Sequence, residues 1–194
     1  GQVLFFAAGA LLVLANLKTE TRVNYILTVF LVFFILILSG LSLRHWSGAN
    51  IAASFDIKNL FVPYGVILFA LAGGAVIPEM VAFLGAEKRL LPKALAFGVL
   101  IPTAVYFVFA TGVLGATGTF TTPEALEGLR SLIGRPLFFL GNAIGFLAAF
   151  TSLSVFGFTF EDILRSDFGL KKISAWLVFV AIPAVLFLLP IRNF

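Results

Sequence analysis

The residues best placed to do chemistry lie in one apolar segment, where two glycines precede a proline and an acid follows it. Gly73 and Gly74 each cost a helix about 1 kcal/mol relative to Ala, and Pro78 removes a hydrogen bond to the Gly74 carbonyl. We therefore predict a helix break within residues 73–78. Freed backbone groups could then bind a polar solute beside a cavity. A kinked helix that binds nothing is the alternative.

Glu79 directly follows Pro78 and is the one acid that the sequence places deep in an apolar segment. Inside a membrane an acid is costly and usually functional, so Glu79 is a candidate for binding a proton or another cation. Pro78 and Glu79 also fit the start of a restarted helix, where a carboxylate gains about 0.3 to 1 kcal/mol from the helix dipole. Both roles stay open.

A hydroxyl cluster, Thr151, Ser152 and Ser154, lies in a second apolar segment. Hydroxyl and freed carbonyl oxygens are the hard ligands that an alkali cation needs. In membrane helices such hydroxyls more often bond their own backbone carbonyls, and this alternative stays open. The same segment carries a stripe of small residues that predicts close approach of another helix: Gly141, Gly145, Ala148, Ala149 and Ser152.

The composition of the chain indicates that it lies in a lipid bilayer. Of its 194 residues, 61% are hydrophobic and 11% charged, and the mean hydropathy is +1.12, whereas soluble domains are about one quarter charged. There is no Cys and only one His, His45, which removes most residue-based enzyme chemistry. The thirteen Lys and Arg are scattered between apolar runs. We therefore expect neither an enzyme nor a nucleic-acid-binding protein.

The apolar runs predict six membrane-spanning helices in a single transmembrane domain covering residues 1–194, because about 20 apolar residues cross the hydrocarbon core. The runs are too long, and alternate too little, for a membrane β-barrel. A short loop helix is predicted to begin at Thr122, with Pro123 in its first turn. The predicted spans are residues 1–17, 23–43, 59–84, 94–116, 136–160 and 173–191.

Charge sorts the connections into two sets. Alternate loops at 18–23, 85–93 and 161–172 carry eight Lys and Arg, and the longer connections opposite carry five. The positive-inside rule places the first set in the cytoplasm and both chain ends outside. An outside Gly1 implies an odd number of spans upstream, so we expect the sequence to be a piece of a longer protein.

With these residues in view, the chain resembles the amino acid permeases of the amino acid/polyamine/organocation superfamily, most closely their aromatic amino acid permease-like branch. Residues 69–79 resemble the interrupted sixth span of that family. Phe150-Thr151-Ser152 and residues 161–167 resemble its eighth span and the cytoplasmic end of that span, and residues 182–194 resemble its ninth. The resemblance covers spans four to nine, essentially the whole chain, and implies that the first three spans are missing.

The resemblance implies a partial LeuT-like fold of inverted repeats, with one broken helix present here. Substrate would lie between the broken first and sixth spans, and a cation between the first and eighth. Residues 23–43 contain no Lys of the kind that replaces sodium in some relatives, so sodium and a proton both remain possible coupling ions. The implied substrate-binding residues are Phe69, Ala70, Gly73 and Gly74, and the implied ion-coupling residues are Glu79, Thr151 and Ser152.

These expectations describe a multi-pass permease of the plasma membrane that moves aromatic or large neutral amino acids by ion-coupled alternating access. Its partners would be the amino acid, the lipid bilayer and the missing N-terminal spans. A non-transporting membrane scaffold or assembly subunit is the alternative. An intramembrane hydrolase is disfavoured, since the spans offer Ser and Thr but neither His nor a second acid to act as base.

Overall fold

The structure, a computed structural model, describes residues 2–54, 57–59, 61–74, 77–122 and 125–188. Every regular element formed by these residues is helical. Short 3-10 turns lie at 57–59, 85–90 and 118–120. The α-helices are α1 (Gln2–Val13), α2 (Leu17–Leu43), α3 (Gly48–Ser54), α4 (Tyr64–Leu71), α5 (Ile77–Leu84), α6 (Leu91–Thr117), α7 (Leu126–Ile133), α8 (Arg135–Ser166) and α9 (Lys172–Leu188).

Three helical segments are long and apolar enough to cross a membrane, which confirms an all-α membrane protein. They are Lys18–Leu43, Met80–Phe120 and Arg135–Ser166. The other three predicted spans fall on shorter pieces: α1 has 12 residues, α4 and α5 have 8 each, and α9 has 17. Length and composition therefore support three spans among the described residues rather than the predicted six.

Helical structure extends into all three of the loops predicted to be cytoplasmic, and residues 85–93 form a 3-10 turn followed by the start of α6. The segment 18–23 lies inside α2, because the Asn16 side chain accepts the backbone N–H of Thr19 at 2.9 Å and so caps the helix start. Likewise α8 continues to Ser166, six residues beyond the predicted end of its span. Charged residues are good helix formers, so a break in the apolar pattern did not end either helix.

The predicted short helix between α6 and α8 is present but begins later than predicted. It is α7, which starts at Leu126 after Ala125, a residue with a positive φ of 58°. Thr122 is therefore not its cap, and Pro123 and Glu124 lie outside the described residues. Helix α3 was not predicted.

The chain divides into two compact units. Unit 1 comprises residues 1–31 and 145–194, and unit 2 comprises residues 32–144. The core of unit 1 is built on Ala10, Val13 and Phe179. The core of unit 2 consists of Leu38, Val113, Ala116, Leu129 and Leu137. The prediction of a single domain stays a prediction.

In unit 1, α1 packs along α8 in the same direction. Gly9 lies beside Leu153, and Val13 lies beside Gly157 one turn further along both helices. The Trp176 indole of α9 donates to the Ala10 carbonyl at 2.7 Å. Lys172 Nζ donates to the Ala15 carbonyl at 2.8 Å. The turn between α1 and α2 and the start of α9 thus lie together.

In unit 2, α3 covers the C-terminal end of α6. The Gly115 carbonyl accepts the backbone N–H of Ser47 at 2.9 Å and the Asn50 amide at 2.8 Å. Asn50 also donates to the Ala116 carbonyl at 3.2 Å. Carbonyls at a helix end have no partner within the helix, so α3 supplies the partners that keep this end of α6 satisfied.

Candidate functional site

The predicted helix break is present in unit 2. Helix α4 ends at Leu71, and Ala72 leaves the helical region with φ −75° and ψ 81°. The Gly73 N–H turns back to the Leu71 carbonyl at 2.9 Å instead of bonding one full helical turn away. Helix α5 starts at Ile77. The interruption therefore begins one residue before the predicted range, and Ala75 and Val76 within it lie outside the described residues.

The four predicted substrate-binding residues border this break. Phe69 and Ala70 form the last turn of α4, and the Phe69 side chain is 84% exposed. Gly73 follows in the non-helical stretch and Gly74 in a 3-10 turn, and a Cβ added to either would meet no atom within 4 Å. A solute could therefore approach the backbone here, which a continuous helix would cover with side chains.

Glu79 is the third residue of α5, and its side chain lies outside the described part of the structure. The restarted helix begins at Ile77, so Pro78 is its second residue rather than its first. Proline fits there because the amides of a first turn have no partner within the helix. Both roles predicted for Glu79, helix start and ion coupling, stay predictions.

Thr151 and Ser152 lie on α8 in unit 1. The Thr151 hydroxyl donates back to its own helix, to the carbonyls of Leu147 at 2.9 Å and Ala148 at 3.1 Å. Ser152 is exposed. Thr151 thus shows the backbone bonding considered as the alternative to a cation ligand. The ion-coupling role implied for Thr151 and Ser152 stays a prediction.

A second polar group, which the sequence did not predict, is buried in unit 1. Glu20 on α2 is 4% exposed, and its carboxylate accepts a hydrogen bond from the Asn24 side-chain amide. The Asn24 carbonyl oxygen in turn accepts the hydroxyl of Ser154, on α8, at 2.8 Å. Ser154 is fully buried. A hydrogen-bonded chain therefore connects a buried acid to the neighbouring helix.

A second buried acid belongs to the same unit. Glu161 on α8 is 1% exposed, and its carboxylate pairs with Arg165 one turn later at 3.2 Å. Arg165 is nearly half exposed, so the pair lies where α8 reaches a surface of the unit. Glu161 is thus paired with a cation on its own helix.

The sequence contained a usable signal for these residues. Glu20 and Asn24 are four residues apart, the spacing at which side chains meet on a helix, and Ser154 and Glu161 are seven apart, two turns along one face. Because residues 18–23 were predicted to form a loop, the helical spacing of Glu20 and Asn24 was not recognised.

No family model, curated protein or solved structure matches this chain.

Proposed function

We propose that this chain is part of a secondary active transporter that moves amino acids across a membrane. The observation that carries the proposal is the interrupted apolar helix formed by α4 and α5. Broken helices are tolerated at membrane depth only where the freed backbone faces protein or water, and transporters use them to bind solutes.

An amino acid zwitterion suits this backbone. Its two charges are costly in a medium of low dielectric, and no Lys or Arg occurs between Phe61 and Glu87 to meet its carboxylate. The end of α4 presents carbonyls that attract an ammonium group. The start of α5 presents amides and a positive dipole end that attract a carboxylate. The open space beside Gly73 and Gly74 leaves room for an aromatic or large neutral side chain.

The finer assignment belongs to the same proposal. Under this proposal the shorter helices α1 and α9 also cross the membrane and α4 and α5 are the two halves of one span, so the chain supplies six spans of a LeuT-like permease of the amino acid/polyamine/organocation superfamily. It is a multi-pass protein of the plasma membrane and works as a symporter together with further N-terminal spans. Glu79, Thr151 and Ser152 are the candidates for coupling to sodium or a proton.

Uptake of radiolabelled large neutral amino acids by the complete protein in vesicles tests this function. Gly74→Leu fills the space beside the break and should abolish uptake. The matched control is Gly65→Leu, the same change two turns earlier in α4, where a Cβ also meets nothing within 4 Å. The control should keep most of the activity, and both variants should insert in the membrane normally.

Two results would count against the proposal. Uptake by Gly74→Leu at the rate and affinity of the unmodified protein would remove the site from the break. An unmodified protein that moves no amino acid under any ion gradient, while remaining folded in the membrane, would favour a scaffold role.

A further inference from the structure

A cavity of about 720 Å³ lies between α7 and the beginning of α8, within unit 2. The two helices are joined at Gly134, which has a positive φ of 68°. A Cβ added to Gly141 of α8 would lie 2.9 Å from the side chain of Leu126, at the start of α7. Helix α7 therefore folds back along α8. The cavity between them is within the range of about 300–1,000 Å³ that is typical of small-molecule sites.

Three charged side chains line this cavity, Glu127 and Arg130 from α7 and Arg135 from α8. Arg130 pairs with Glu127 at 3.2 Å, but both side chains are mostly exposed, and such an exposed ion pair is weak. Arg135 is exposed and makes no side-chain hydrogen bond or ion pair within the part of the chain that the structure describes. Two arginines and one glutamate give the lining a net charge of +1, which suits a ligand with one negative charge.

The lining also contains apolar side chains. They are Leu126, Leu137 and Phe138, and the Phe138 side chain is 70% exposed. A small hydrated anion such as free phosphate would contact the arginines and leave these apolar side chains in water. A ligand with both an anionic group and an apolar part would contact both kinds of side chain and remove apolar surface from water. The lining therefore favours an amphiphile over a free ion.

The length of α8 places this cavity at a surface of the membrane. Helix α8 is a candidate membrane span, and its uncharged part, residues 136–160, is about 38 Å long at 1.5 Å per residue. The hydrocarbon core is about 30 Å thick. Arg135, at one end of this uncharged part, therefore lies at the level of the lipid headgroups, and Phe138 lies one turn closer to the hydrocarbon.

We propose that this cavity binds an anionic phospholipid, whose phosphodiester lies between Arg130 and Arg135 and whose acyl chains leave along Phe138. Guanidinium groups present paired N–H donors that match the oxygens of a phosphate. A zwitterion, either phosphatidylcholine or a free amino acid, brings a cation into a cavity that already has a net positive charge, and so binds more weakly. The net charge and the apolar side chains together select a lipid with one net negative charge.

Photocrosslinking in vesicles tests this site. The chain is reconstituted in phosphatidylcholine that contains a small fraction of phosphatidylglycerol with a diazirine near the glycerol end of one acyl chain, and labelled residues are mapped by mass spectrometry. Labelling should occur within residues 126–142 and should fall about fivefold in Arg135→Gln, the effect of removing one arginine from a charged membrane surface. The matched control is Arg22→Gln, which removes an exposed arginine near the start of the candidate span Lys18–Leu43 and should leave this labelling unchanged.

A second variant keeps the test decisive if Arg135→Gln does not fold. Glu127→Gln removes the carboxylate that pairs with Arg130, so labelling by phosphatidylglycerol should increase. Labelling that Arg135→Gln leaves unchanged, or that Glu127→Gln lowers, would overturn the proposal.

Two competitors distinguish the lipid from other ligands. Unlabelled phosphatidylglycerol should suppress the labelling, whereas inorganic phosphate in the surrounding buffer should not. Suppression by inorganic phosphate would assign the cavity to a free anion and reject the lipid. Equal labelling by the same diazirine on phosphatidylcholine would also reject it, because the charge of the cavity would then select nothing. Transport is not measured in this experiment, so its result is independent of the proposed function.

Discussion

The indole ring of Trp46 lies so close to Gly115 of α6 that a methyl group on Gly115 would overlap it. The Gly115 carbonyl also accepts hydrogen bonds from Ser47 and Asn50. Gly115 therefore has two structural roles. Its lack of a side chain leaves space for the Trp46 ring, and its carbonyl oxygen accepts the hydrogen bonds that hold α3 in place. Among the glycines of unit 2, Gly115 is the one at which an added Cβ would come closest to a neighbouring atom.

Gly115→Ala should destabilise the protein by about 1–3 kcal/mol, the usual cost of overfilling a packed site. The control is Gly98→Ala, on the same helix, where a Cβ meets no atom within 4 Å. That change should be neutral or stabilising, because Ala is the better helix former by about 1 kcal/mol. Unfolding in detergent micelles would be followed by the fluorescence of Trp46 in a Trp176→Phe background. Equal stability of the two variants would contradict the packing described here.

Leu129→Ala should loosen α7 from unit 2. Leu129 is fully buried in the cluster with Leu38 and Val113, and truncating a buried Leu costs about 2–5 kcal/mol. The matched change Leu132→Ala, on the same helix at a side chain that is 37% exposed, should cost much less. Limited proteolysis of the α7 region, together with denaturant unfolding, would measure both. If the two variants are cleaved at the same rate, α7 is not anchored through Leu129.

Gly157→Leu should disrupt unit 1. A Cβ on Gly157 would lie 2.7 Å from both Phe179 of α9 and Val13 of α1, so a larger side chain separates α8 from both neighbours. The control, Gly145→Leu on the same helix, has open space around its Cβ position. Fluorescence of Trp176 in a Trp46→Phe background would report on this unit. We expect a loss of about 1–3 kcal/mol for Gly157→Leu alone, and an equal loss in both variants would be inconsistent with this packing.

Local chemistry explains which features were predictable from the sequence. The break before α5 was predicted because two glycines and a proline act on their own backbone, whatever surrounds them. The all-α membrane class followed from the composition together with the length of the apolar runs. Both features depend on the local sequence or on its composition, so the surrounding fold does not change them.

Features that depend on tertiary packing were not predictable in this way. Glu20 lies in a segment that was predicted to be a loop. In the structure, α2 begins before it with a cap from Asn16, and Ser154 of α8 bonds to Asn24 one turn later. Both contacts depend on the folded chain. The small-residue stripe on α8 was predicted to allow close approach of another helix. At Gly141 it does, because a Cβ there would lie 2.9 Å from Leu126 of α7, but Gly145 faces open space, and a further tight approach occurs at Gly157, outside the stripe. Which glycine meets a neighbour depends on helix rotation, which spacing along one helix does not determine.

The two pieces of the interrupted helix have equal lengths. Eight residues at 1.5 Å each give about 12 Å for α4 and the same for α5, and the hydrocarbon core is about 30 Å thick. Under the proposed function, the gap between them lies near the middle of the bilayer, and a solute held there faces barriers of similar depth on either side. Under the same proposal no chemical step drives transport, so movement through this site is reversible. The gradients of substrate and coupling ion, rather than the protein, then set the direction of net flow.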